Sequence, residues 1–159
     1  RRLMQEGGAD AVKIEGGRDV ADDIEKLVST GVPVLGHIGL LPQTVKAIGG
    51  YRKFGGDRQE AEDLYTDAIA LEEAGCFAVV GEMIEEVVAR ELTKQILPPL
   101  IGIGSGAGCD GQILVSTDIL GYNTRKAPSF VKTYANLNQV ISKALSQYVT
   151  EVKSRKFPA

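Results

Sequence analysis

The sequence has no tryptophan, a single histidine and only two cysteines, and neither sign of charge dominates. Cys76 and Cys109 stand far apart, so no disulfide framework is encoded and a reducing compartment is the default. With 18 Lys and Arg against 21 Asp and Glu, the formal net charge is −3. A dedicated nucleic-acid binder carries an obvious basic footprint, which sets that class aside. No apolar run approaches the ~20 residues that a membrane helix needs, so no membrane partner is expected. Low-complexity segments and a clear domain linker are missing too.

What is present fits an ordinary α/β protein. A length of 159 residues with 43% hydrophobic content allows one domain with a real core, and residues 1–159 are read as a single domain. Glycine is the outlier, at 19 residues against an average near ~7%, and it clusters at the ends of apolar runs. The chain opens Arg1-Arg2-Leu3-Met4-Gln5-Glu6-Gly7-Gly8, which reads as the last turn of a helix and its glycine stop. The expectation is therefore the C-terminal part of a longer protein, with any targeting segment upstream of Arg1.

Apolar runs alternate with helix-period segments. Strands are expected at Ala11–Glu15, Val32–Gly39, Cys76–Glu82, Pro99–Gly104 and Gln112–Ser116. Asp19 is expected to cap a helix striped by Val20, Ile24, Leu27 and Val28, which Gly31 stops. A short helix is expected over Pro42–Ile48, followed by a loop to Asp57. The next helix carries Ala61, Leu64, Ala68 and Leu71 on one face, and another carries Ile84, Val87, Val88 and Leu92. Val140, Ile141, Ala144, Leu145, Tyr148, Val149 and Val152 mark an amphipathic helix over Leu137–Val152. Near-continuous apolar strands alternating with helices predict a parallel sheet covered on both faces. Two folds fit, a doubly wound sheet or part of an eightfold β/α barrel; five strands are more than half of a barrel that takes ~250 residues.

In either fold, ligands bind where strand carboxyl ends converge. Lys13 and Glu15 are two apart in a strand and share a face; His37 ends the second strand and Glu82 the third. One rim thus receives a cation, two carboxylates and the single imidazole of the chain. A structural reading stands beside the functional one: Lys13 and Glu15 as an ion pair in a polar interior, His37 as a hydrogen-bonded strand-end residue. Glu82 follows apolar and small residues, whose desolvation would raise its pKa toward that of a useful general base. The stretch Gly106-Ala107-Gly108-Cys109-Asp110-Gly111 matches G-x-G-x-x-G, yet a strand follows where a dinucleotide motif needs a helix. Glycines permitting tight turns near a ligand are the better reading, and Cys109 has no metal-site spacing.

Several motifs occur in order: Ala11-Val12-Lys13-Ile14-Glu15-Gly16-Gly17, Val34-Leu35-Gly36-His37-Ile38-Gly39-Leu40, Pro42-Gln43, Gly49-Gly50-Tyr51, Glu73-Ala74-Gly75, Ile101-Gly102-Ile103-Gly104 and Asp110-Gly111-Gln112-Ile113-Leu114-Val115. Together they resemble the ketopantoate hydroxymethyltransferase family over essentially the whole chain. The resemblance implies an α/β protein of the (β/α)8 TIM-barrel class, here the later βα units plus C-terminal helices, with N-terminal strands missing. It implies hydroxymethyl transfer from 5,10-methylenetetrahydrofolate to 3-methyl-2-oxobutanoate, with Mg2+ stabilising an enolate. By resemblance Glu82 is the base that takes the C3 proton, Lys13 pairs with the substrate carboxylate, His37 either orients substrate or supports the groups that touch it, and Glu15 belongs to the metal site. The principal metal-ligating aspartates of the family would precede Arg1, and Glu15 alone is a poor magnesium site. Gly81 stands where the family usually has leucine. A homo-oligomer is implied when intact, in the cytoplasm or, for a eukaryote, the mitochondrial matrix. Two other readings remain open: another metal-assisted 2-oxo-acid aldolase or lyase barrel, and a non-catalytic half-barrel that pairs with a second chain.

Overall fold

A computed structural model describes residues 2–123 and 127–158. The chain divides into two compact units, residues 1–113 and 114–159. In the first, a helical turn α1 (Arg2–Gln5) is followed by β1 (Val12–Lys13), α2 (Ala21–Ser29), β2 (Val34–Gly39) and α3 (Arg58–Glu73). Then come β3 (Ala78–Glu82), α4 (Glu86–Gln95), β4 (Leu100–Ile103) and β5 (Gly111–Gln112). All neighbours in the sheet are parallel, and their order is β1-β2-β3-β4-β5.

That order decides between the two folds. A doubly wound sheet reverses its strand order at a switch point, and the described strands show no reversal. Right-handed crossovers running in one direction place successive helices on the same face, as in a β/α barrel. Packing agrees, because Val34, Ile38, Val79 and Leu100 form one core with Ile24, Leu64, Ala68, Leu71, Val88 and Leu92 from α2, α3 and α4. Of the two folds that the sequence allowed, this is the barrel arrangement, with the helices on one face of the sheet. Alternation along each strand sends Lys13, His37, Val80 and Glu82 to the other face.

Local chemistry accounts for the helices. α3 begins at Asp57, whose carboxylate accepts the Glu60 N–H at 2.9 Å; Glu60 in turn accepts from the Gly55 and Gly56 N–H groups at 3.0 and 3.2 Å. This reciprocal arrangement is close to a capping box. Leu64, Ala68 and Leu71 then fall on one stripe and are buried. A Cβ at Gly36 would lie 2.7 Å from Leu71 Cδ1, so that glycine lets α3 approach β2. Leu71→Ala is expected to cost about 2–5 kcal/mol through lost burial and a residual cavity, measured as the shift in the urea midpoint.

Several boundaries differ from the sequence reading. Asp19 caps nothing: Arg18–Val20 form a 3-10 turn, and Val20 precedes α2 with no side-chain cap. The cause is tertiary. Arg18 is drawn to α3 by Asp67 at 2.7 Å and Asp63 at 3.0 Å, which fixes the chain ahead of α2. The helix expected over Pro42–Ile48 is a 3-10 turn at Pro42–Thr44 followed by hydrogen-bonded turns. Val87 is exposed rather than on the buried stripe, while Ile84 is fully buried just before α4. The fifth strand is shorter and earlier than expected, because Ser116 already begins α5 (Ser116–Ile119).

The second unit joins α5 to α6 (Leu137–Lys153) through backbone bonds from Tyr134 N–H to Ile119 O and from Leu137 N–H to Leu120 O. Asn136 caps α6 by accepting the Gln139 N–H at 3.2 Å. The helix is the amphipathic one expected, with Val140, Leu145 and Tyr148 exposed. Among the described residues, no helix is long and apolar enough to cross a membrane.

Candidate functional site

Lys13 pairs in register with Leu35, and the Gly16 N–H donates to His37 O, so the chain after β1 runs beside the end of β2. Across the next pair, His37 stands opposite Val80 and Gly39 opposite Glu82. Lys13, Glu15, His37 and Glu82 thereby meet at the carboxyl end of the sheet, as the sequence placed them. Gly39 makes the approach of the two strands possible. Its φ is +84°, and a Cβ there would sit 2.2 Å from Glu82 O.

Contacts run through the imidazole. Lys13 Nζ lies 2.8 Å from Glu15 Oε1 and 3.3 Å from His37 Nδ1. His37 Nε2 lies 2.9 Å from Leu40 O and 3.4 Å from Glu82 Oε2. An ammonium group can only donate, and a backbone carbonyl can only accept. These partners assign the tautomer: Nδ1 accepts from Lys13, and Nε2 carries the proton toward Leu40 O, with Glu82 alongside. His37 is thus neutral. The Glu82 contact is an N–H to carboxylate approach and no ion pair. Burial pushes the His37 pKa down and the Lys13 charge adds to this, while the Leu40 bond and Glu15 oppose it.

The two carboxylates are tuned in opposite directions. The hydrogen bond from Lys13 holds Glu15 below the usual carboxylate range against the pull of burial, with further help from the Lys13 charge and from Gln43. Burial raises the Glu82 pKa; Lys13 opposes the rise and Glu15 adds to it. Acid–base sites push paired titratable groups apart in this way, and so do structural ion pairs. Lys13 and Glu15 do form the ion pair of the structural reading, but it is open to solvent at 42% and 26% side-chain exposure. An ammonium has three donors, and two are engaged here, which leaves one for an incoming oxygen.

Three contributors were not assigned roles from the sequence. Gln43, in the turn after β2, helps to hold the Glu15 pKa down. Phe54 straps the loop after β2 onto the end of β3: its N–H donates to Met83 O at 2.7 Å, and its carbonyl accepts the Glu85 N–H at 2.8 Å. Ser105 is fully buried, donates to Gly81 O and accepts from the Ile84 N–H. Each lies in a glycine- or proline-marked turn, which signalled a loop but not its partner. The stretch Gly106–Gly111 leads directly into β5 and not into a helix, so it lacks the context of a dinucleotide motif. Cys109 is half-buried, with its thiol pushed up by burial, the state of an unreactive cysteine.

The Mg2+ implied by the resemblance does not fit these residues alone. Among the described residues, no group of three or more His, Cys, Asp or Glu is arranged to hold a metal ion. Glu15 offers one carboxylate already paired with Lys13, whereas Mg2+ demands near-octahedral oxygen coordination.

A parallel β/α-barrel sheet with a lysine, a neutral histidine and two oppositely tuned carboxylates at its strand carboxyl ends defines the class: a β/α-barrel protein with an acid–base rim. Within that class the chain belongs to the ketopantoate hydroxymethyltransferase family, whose model it matches over residues 1–159. It is 51% identical to the 3-methyl-2-oxobutanoate hydroxymethyltransferase of Shouchella clausii over 99% of this chain and 57% of that protein. It is 52% identical to that of Carboxydothermus hydrogenoformans, again over 99% of this chain and 57% of that protein. The chain thus spans a little over half the length of the curated relatives it matches.

Proposed function

We propose that the protein serves hydroxymethyl transfer from 5,10-methylenetetrahydrofolate to 3-methyl-2-oxobutanoate, giving 2-dehydropantoate, with Glu82 as the base. The observation that carries this reading is the Glu82 carboxylate: raised in proton affinity by burial, and set 3.4 Å from an N–H of His37. The C3 hydrogen of the substrate lies beside a ketone, so its loss needs a base held in a site that partly excludes water. The C3–H bond breaks, the proton passes to Glu82, and the electron pair spreads into the C2 carbonyl. Water releases the methylene carbon from the folate as both of its bonds to nitrogen break, giving tetrahydrofolate and a one-carbon unit at the formaldehyde level. The enolate carbon attacks that carbon, and its oxygen takes the proton back from Glu82 to leave the hydroxymethyl group.

Lys13 meets the substrate carboxylate with its remaining N–H, a charge-assisted contact. His37, neutral and fixed by its Nε2–H bond to Leu40 O, orients substrate through the Lys13 ammonium that donates to its Nδ1. Glu15 anchors Lys13 and is the carboxylate we assign to the Mg2+ site, where it would contribute one oxygen. The argument for deprotonation rests on Glu82, Lys13 and His37.

Deuterium exchange at C3 of 3-methyl-2-oxobutanoate tests this in the full-length protein, without folate. Exchange is expected, with an acid limb above the ordinary carboxylate value of 4.5, because the base must be ionised. Absence of exchange, or a profile flat through that region, would remove Glu82 from the reaction. Addition of methylenetetrahydrofolate should then convert exchange into product; exchange with no folate-dependent product would point to another 2-oxo-acid aldolase or lyase.

A further inference from the structure

We propose that Ser105 is a positioning residue for the Glu82 carboxylate, acting through the left-handed turn at Met83; this rests on the reading of Glu82 as the base. Ser105 stands between Gly104 at φ +67° and Gly106 at φ +81°, and this pair of left-handed residues turns its side chain inward. It is fully buried. Its hydroxyl has one proton, which goes to Gly81 O at 2.7 Å rather than to Ile103 O at 3.4 Å. The same oxygen accepts the Ile84 N–H at 3.0 Å.

Those two partners flank Glu82 and Met83. One hydroxyl therefore closes the chain across the base and the residue after it. Met83 has φ +53°, a conformation that a non-glycine residue holds only when its surroundings over-determine it. Leu40 N–H donates to Glu82 O at 2.8 Å, Met83 N–H donates to Ile103 O at 2.9 Å, and Phe54 N–H donates to Met83 O at 2.7 Å. These bonds are backbone to backbone, whereas the Ser105 bonds pass through a side chain that substitution removes. Ser105→Ala would leave Gly81 O and the Ile84 N–H without their bridge in a buried place, and the cheapest relief is to relax the turn. Glu82 would then move outward from its half-buried seat.

The test compares wild type, Ser105→Ala and Ser105→Thr in the full-length protein, by C3 exchange kinetics and by NMR titration of the Glu82 carboxyl carbon. A misplaced base costs on the order of 10–100-fold in kcat. For Ser105→Ala that loss is expected with KM within about twofold, since substrate binding rests on Lys13. The Glu82 titration and the acid limb should both move to lower pH as the carboxylate meets more water. Ser105→Thr, which keeps the hydroxyl, should restore most of the rate. If Ser105→Ala lowers only the melting temperature, with rate per folded molecule and titration unchanged, the residue is merely structural and the proposal falls. If the alanine variant does not fold, Ser105→Cys replaces it: a shifted titration supports the proposal and an unshifted one overturns it. Should wild type show no exchange, the function reading fails by itself, and the titration still decides whether Ser105 positions Glu82.

Discussion

Glu82→Gln is expected to abolish measurable C3 exchange in 3-methyl-2-oxobutanoate, a loss of about 10²–10⁴-fold for a removed general base, while substrate affinity stays within a few-fold. The amide keeps the shape and fits the same place beside His37 Nε2, so the rim should remain assembled. It cannot take a proton. Stability supplies an independent check, because the folded-state pKa of Glu82 lies above its ordinary value of 4.5. The folded chain then holds the proton more tightly than the unfolded one. Its stability contribution is fully present below about pH 4.5 and is lost as pH rises through the raised folded value. At neutral pH the buried charge is therefore a cost, and glutamine removes it. The variant should melt at or above the wild-type temperature at pH 7, with the difference vanishing toward pH 4. Retained exchange in a folded Glu82→Gln protein would end the assignment of the base. A lower melting temperature at pH 7 would show that Glu82 is stabilised in place, and its burial would then need another explanation.

How far the sequence carries such an argument depends on which residues act locally. Lys13, Glu15, His37 and Glu82 were placed at one rim because period-two alternation and strand ends are local properties, and parallel pairing then aligns successive ends. Strand order was not local. Whether helices flank one face or two depends on the direction of each crossover, and the periodicity of α2 or α3 is the same in both cases. The failed cap at Asp19 has a similar origin: Arg18 answers to Asp63 and Asp67, partners more than forty residues away. Ser105 shows the limit most clearly. Between two glycines it reads as a loop residue, and only the meeting of the β3 and β4 ends reveals a buried bridge. The tautomer of His37 was equally out of reach, since it depends on Lys13 and on the carbonyl of Leu40 together.

Lys13→Ala should weaken binding of the 2-oxo acid, with less effect on the bound substrate's rate of exchange. The contact is a charge-assisted hydrogen bond worth about 1.5–3 kcal/mol, which corresponds to roughly 10–150-fold in affinity. It exists in ground and transition states alike, so most of the loss belongs in KM. The neutral ketone 3-methyl-2-butanone separates this contact from general damage. It lacks the carboxylate, so wild type and Lys13→Ala should exchange it with similar KM, and the coupling between the two deletions isolates the pair. Equal losses for acid and ketone would mean that Lys13 shapes the rim without touching the carboxylate. Lys13 holds down the proton affinities of both Glu82 and His37, so its removal should move the acid limb of exchange to higher pH. The fold should tolerate the change, because the Lys13–Glu15 pair is partly exposed and such pairs contribute about 0–1 kcal/mol. Affinity, pH profile and stability thus respond to one substitution in three different ways. Only a lysine that binds substrate and also sets the charge of the rim predicts that combination.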